Sequence, residues 1–108
     1  MTMTPPYAVE VGGGGFQPIR LRVRGEIDMA VAPQLLDSAL CAGLTGDRTT
    51  VVVDLSEVTF MDSSGLSALL EAHERLQADD GRLVVANVPP RVRRVMDIAG
   101  FVGHLNIE

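Results

Sequence analysis

The chain lacks tryptophan and lysine altogether, and it holds one cysteine, one tyrosine and three phenylalanines in 108 residues. A single cysteine, Cys41, rules out an intramolecular disulfide and, with it, a disulfide-stapled secreted scaffold. Cys41 itself is expected to be a small buried hydrophobe on a helix. With so few aromatics the core must be aliphatic, and an apolar fraction of 46% is enough to build one without a metal. Arginine fills all nine basic positions, which reads as compositional bias rather than chemistry. No run approaches the roughly 18 apolar residues of a membrane span. The start, Met1-Thr2-Met3-Thr4-Pro5-Pro6, has neither the basic nor the apolar region of a signal peptide. A cytoplasmic protein with no membrane contact is the expectation. The formal net charge of −5 argues against direct nucleic-acid binding.

Familiar chemical motifs are missing as well. No GxxxxGK[ST] loop cradles a phosphate, and Gly12-Gly13-Gly14-Gly15 lacks both the lysine and the following helix. No G-x-S-x-G elbow presents a nucleophile. His73 and His104 stand far apart without spaced cysteine or histidine partners, so no metal or other cofactor is expected. His73 falls on an apolar helix stripe and reads as a packing residue.

What is present is a regular alternation of strand and helix patterns. Tyr7 to Val11 alternate weakly, as a short edge strand would, and Gly12 to Gly15 should then break the structure into a flexible hairpin turn. Ile19, Leu21 and Val23 fall on one face of the next strand, and Arg20, Arg22 and Arg24 on its wet face, with Pro18 at its entry. Asp28 is placed to cap a helix whose early turn carries Pro33. Leu35, Leu36, Ala39, Leu40 and Leu44 recur at helical spacing, and Gly43 and Gly46 end the segment. Val51-Val52-Val53-Asp54-Leu55 is a central strand buried on both faces. After Gly65, Leu66, Leu69, Leu70, His73 and Leu76 share one helix face. Asp79-Asp80-Gly81 is a turn and Arg82 to Ala86 a buried strand. Pro89-Pro90 opens a third helix striped by Val92, Val95, Met96 and Ala99, which ends at Gly100. His104 to Ile107 is a short last strand. The order β-β-α-β-α-β-α-β demands crossovers. It therefore predicts a largely parallel mixed sheet covered by helices on one face or both. We assign one domain to residues 1–108, with 1–15 as the N-terminal edge strand and Gly-rich turn.

The informative place is the corner Asp62-Ser63-Ser64-Gly65. A helix N-terminus leaves backbone N–H groups unpaired and carries partial positive charge. Asp62, Ser63 and Ser64 are all good capping types, and capping alone would account for them. The same geometry also suits a phosphoryl group on a serine hydroxyl, beside donors that favour anions. Such a group adds about −1.5 to −2 charges. Gly65 would let a partner, such as a kinase, approach the backbone closely. Ser63 as an enzymatic nucleophile is the weaker alternative, since no base stands out for it.

Val52-Val53-Asp54-Leu55 through Phe60-Met61-Asp62-Ser63-Ser64-Gly65-Leu66 closely resembles the core signature of the STAS domain. In particular it is similar to the stand-alone anti-sigma factor antagonists of bacteria. Gly25-Glu26-Ile27-Asp28 matches the family's first block, and Val88-Pro89-Pro90 through Gly100-Phe101 its last. The resemblance runs from Arg20 to Ile107, and Ser67 stands where many members carry glycine. It implies a non-enzymatic switch. The unphosphorylated protein binds an anti-sigma factor that is itself a GHKL-type serine kinase, and so frees a sigma factor for transcription. That kinase phosphorylates the serine after the signature aspartate, here Ser63. A PPM-type serine phosphatase resets it. The resemblance makes Asp28 and Asp62 the acidic residues flanking that serine, and Ser64 and Gly65 its neighbours on the partner-binding surface. A non-switching scaffold, stressosome-like or within a lipid-transport complex, is the alternative that the family also allows.

Overall fold

The computed structural model describes residues 7–14, 17–43, 49–100 and 103–108. The expectations for the first six residues, for Gly15, for Leu44 and Gly46, and for Phe101 lie outside them. The elements run β1 (Ala8–Gly14), β2 (Gln17–Ile27), α1 (Ala32–Gly43), β3 (Thr50–Met61), α2 (Ser63–Ala78), β4 (Arg82–Ala86), α3 (Pro90–Ala99) and β5 (Asn106–Ile107). They form one five-stranded sheet in the order β1-β2-β3-β4-β5. β1 pairs antiparallel with β2, and the other three ladders are parallel. This is the mixed α/β arrangement that the strand–helix alternation predicts.

All three helices pack on one face. Leu21, Val23, Val51, Val53, Leu55, Leu83 and Val85 point from the strands into a cluster with Leu35 and Ala39 of α1, Leu66, Leu69, Ala72 and Leu76 of α2, and Val92 and Met96 of α3. The leucines among them are fully buried, and each contributes about 1.5–3 kcal/mol over an exposed side chain. His73 lies on the same apolar stripe and is buried, with its Nδ1 lacking a hydrogen-bond partner.

The opposite face carries no helix among the described residues, yet β3 is buried there too. Val52, Val84 and Ala86 cluster across β3 and β4. Asp54 lies on this face at 5% exposure. Its carboxylate accepts from Arg20 Nη1 at 3.3 Å, Asn87 Nδ2 at 3.2 Å and the Ser56 N–H at 2.9 Å. Asn87 reaches it from a left-handed backbone conformation (φ 54°) that asparagine tolerates. Burial alone would push the Asp54 carboxyl up. The Ser56 and Asn87 hydrogen bonds and the Arg20 charge outweigh it and hold the group below the usual carboxylate range. The other arginines of β2 on this face are paired as well, Arg24 with Glu10 and Glu57 at 3.3 Å each and Arg22 with Glu10 at 3.9 Å. The wet face expected for β2 is thus an ion-paired one.

Four local expectations are corrected. Gly12, Gly13 and Gly14 do not break the chain into a turn but continue β1, with a bulge between Gly13 and Gly14. Pro18, which has no N–H to give, is the extra residue that β2 inserts at this shift, unpaired where the ladder needs no donor. Cys41 is exposed rather than buried, because it sits on the outer flank of α1 while Leu35 and Ala39 take the core positions. β3 does not end near Leu55 but runs on to Met61 through two register shifts against β2. The last strand is confined to Asn106 and Ile107.

Candidate functional site

The ends of two parallel strands build the site. Ile27 pairs with Met61, and the N–H of Asp62 then donates to the Ile27 carbonyl at 3.2 Å. Asp28 and Asp62, 34 positions apart in sequence, therefore leave the sheet side by side. Each immediately turns the chain into a helix. The Asp28 carboxylate accepts from the N–H groups of Ala30 at 2.9 Å and Val31 at 3.2 Å. Its cap thus holds the turn that leads into α1, one step before the helix proper. Pro33 falls in the first helical turn as expected.

At the second corner the competition among three capping types is decided. Asp62 is the N-cap of α2, extended at φ −103° and ψ −174°. Its Oδ1 accepts from the N–H of Ser64 at 2.9 Å and of Gly65 at 3.4 Å. Two donors that could face an anion are already occupied by this carboxylate. Ser63, the first helical residue, is left exposed, while Ser64 is half-buried.

Gly65 faces inward. A Cβ there would sit 2.8 Å from both Ile27 Cγ2 and Met61 Cγ, closer than side chains pack. The glycine lets α2 start directly against the ends of β2 and β3. Its buried position does not offer backbone to an approaching partner, as the sequence reading expected; it fixes where Ser63 stands.

Ser63, Ser64 and Ser67 line a shallow groove of about 420 Å³ between the first turns of α1 and α2. Met29, Pro33 and Leu36 form its other wall. Met29 is 75% exposed and so presents apolar surface to the groove. Glu71 is the charged residue lining the groove, and it pairs with Arg75 at 2.8 Å. Sequence reasoning missed this second wall. Its only trace was an apolar Met29 directly after the capping Asp28. Among the described residues no cluster of three or more His, Cys, Asp or Glu could hold a metal, and no helix is long and apolar enough to cross a membrane.

Residues 14–106 match the family model described as Mlab, STAS domain. The anti-sigma F factor antagonist of Lysinibacillus sphaericus is 31% identical over 85 residues, covering 79% of this chain and 73% of that protein. Among solved structures, an anti-sigma factor antagonist from Mycobacterium paratuberculosis superposes with a TM-score of 0.81 at 27% identity, over 97% of this chain and 89% of the other. The Bacillus cell fate determinant SpoIIAA in its phosphorylated form does so with a TM-score of 0.68 at 26% identity, over 94% and 91%.

Proposed function

Since this chain belongs to the STAS domain family, we propose that it acts as an anti-sigma factor antagonist, a binding protein rather than an enzyme, switched by phosphorylation of Ser63. Unphosphorylated, it binds an anti-sigma factor serine kinase of the GHKL type through the groove between α1 and α2. The kinase transfers the γ-phosphoryl of ATP to the Ser63 oxygen, releasing ADP and the hydroxyl proton. A PPM-type phosphatase hydrolyses the ester and restores the binding form. Asp28, Asp62, Ser64 and Gly65 shape the surface around the acceptor.

The observation that carries this reading is the exposure of Ser63 beside an apolar wall and a capped helix start. A phosphoryl group there meets the Asp62 carboxylate, which already holds the nearest N–H donors, and no arginine lines the groove. With no cation lining the groove to pair with it, the added charge of about −1.5 to −2 is projected at the partner. Burying such a charge against an apolar contact is costly, so the complex is released. A permanent scaffold has no use for a free hydroxyl at this point, which favours the switch over the scaffold reading.

The test is retention of a GHKL-type kinase on immobilised wild type, Ser63→Ala and Ser63→Asp. Wild type and Ser63→Ala should hold it and Ser63→Asp should lose it. Equal retention by all three would refute the switch.

A further inference from the structure

We propose that two copies of this chain associate through β1, whose outer edges pair antiparallel about a two-fold axis at Val11 to join two sheets into one. The two edges of the sheet differ. β5 has two residues, too few to template a neighbour, whereas β1 presents seven, Ala8–Gly14. Edge strands are commonly protected by proline, by unpaired charge or by a covering element. The described residues of β1 include no proline, and its only charged side chain, Glu10, is turned back onto Arg24 at 3.3 Å and Arg22 at 3.9 Å. Glycine within a strand often marks a place where another backbone comes close, and here three follow one another.

The two faces of β1 supply complementarity for a second copy. With Val11 opposite Val11 of the second copy, each Glu10 lies opposite a Gly12. Within one chain Gly12 is paired with Arg20, and Glu10 with Arg22. The row across the joint therefore reads Arg22, Glu10, Gly12 and Arg20, the last two from the other copy. Beside Gly12 lies a notch of about 120 Å³ lined by Glu10, Val11, Arg20 and Arg22, and no heavy atom stands within 4 Å of a Cβ placed on that glycine. Glu10 of one copy can fill the notch of the other and reach Arg20 across about 10 Å, two strand spacings. Around the joint, Glu10, Asp54 and Glu57 balance Arg20, Arg22 and Arg24 in formal charge.

On the helix side, Val11 is 69% exposed at the rim of an apolar cleft of about 550 Å³ that reaches Ile19 and Cys41. Two Val11 side chains facing one another cover each other, a favourable cross-strand pair. Such a contact is isologous and closes at two copies. Because the copies run antiparallel, their Ser63 corners fall at opposite ends of the joined sheet and both remain accessible.

Analytical ultracentrifugation of the full chain across a dilution series tests this. The wild type should approach twice the 11.5 kDa of one chain. Val11→Lys sets two like charges face to face and should weaken association at least about tenfold, with an unchanged circular dichroism spectrum. In a Cys41→Ser background, a short bismaleimide should link Val11→Cys into a covalent dimer but leave Ile98→Cys, on an exposed position of α3, as single chains. A wild type that stays single at every concentration overturns the proposal, whether residues 1–6 or another protein covers the edge. So does a dimer that survives Val11→Lys, or one in which Val11→Cys links no faster than Ile98→Cys.

Discussion

The N–H of Asp62 donates to the carbonyl of Ile27 at 3.2 Å, the last bond of the ladder between β2 and β3. That bond joins the two halves of the site. It sets Asp28 beside Asp62, directs α1 and α2 out of the sheet together, and leaves a groove between their first turns with Ser63 on its rim. The position of Ser63 follows from the sheet register rather than from any contact of its own side chain.

Removing the Asp62 cap should loosen this corner. Asp62→Ala strips the acceptor from the Ser64 and Gly65 N–H groups, and losing an N-cap costs about 0.5–2 kcal/mol. Asp62→Asn keeps an acceptor oxygen and should cost far less. Urea midpoints of the two variants measure the difference. If Asn restores stability but not kinase binding, the carboxylate charge belongs to recognition. If it restores both, Asp62 acts through geometry alone.

Gly65→Ala sets two effects against each other. Replacing glycine inside a helix gains about 0.5–1 kcal/mol in propensity. The new methyl would press on Ile27 and Met61 at 2.8 Å, and overpacking of that kind costs about 1–3 kcal/mol. We expect net destabilisation of about 1 kcal/mol, seen as a lower Tm, together with slower phosphorylation of Ser63 as α2 is pushed off the strand ends. A Tm at or above wild type would show that the corner has room to yield.

The sequence carried the architecture because most of it is written in local periodicity. Ile19, Leu21 and Val23 alternate, Leu66, Leu69, His73 and Leu76 recur at helical spacing, and both sets face the core where that pattern puts them, Ile19 only partly covered and the rest buried. Asp62 as a cap was legible as one of three candidates. What escaped depends on neighbours distant in sequence. Gly12 to Gly14 have no side chains to announce a strand and are held in one by pairing with β2. Gly65 looks alike whether it faces a partner or Ile27, and only the strand ends decide. Cys41 is apolar enough for the core, but the stripe of α1 passes it by. Asp54 sits inside a β-branched run whose pattern says only that it is buried, and its partners Arg20 and Asn87 are 34 and 33 residues away.

That buried carboxylate should give the protein a specific acid sensitivity. The folded state holds Asp54 below its ordinary pKa, so as the pH falls the unfolded chain takes up the proton first. Its stabilisation is complete above the unfolded value, near ~3.9, and is lost as the pH drops through the lower folded one. One such group changes stability by at most about 1.4 kcal/mol per pH unit in that window. Urea midpoints taken between pH 7 and pH 2.5 should fall more steeply below about pH 4 for wild type than for Asp54→Asn. Parallel curves would assign the acid response to other carboxylates.

The Ser63→Asp variant must separate a lost surface from a lost fold. Its side chain is exposed and stands in the first turn of α2, where a negative charge is favoured by the helix dipole by about 0.3–1 kcal/mol. The neighbouring Asp62 opposes it by a comparable amount across solvent. The two effects nearly cancel, so stability should stay within about 0.5 kcal/mol of wild type, as is usual for exposed positions. Kinase affinity, measured by calorimetry on the same samples, should fall at least about tenfold, a loss of about 1.4 kcal/mol or more. A drop in affinity matched by a drop in Tm would mean that the charge breaks the corner instead of blocking the groove. A Ser64→Asp control distinguishes the positions. Ser64 is half-buried and donates its N–H to Asp62, so a carboxylate there should lower Tm first and affinity only through it.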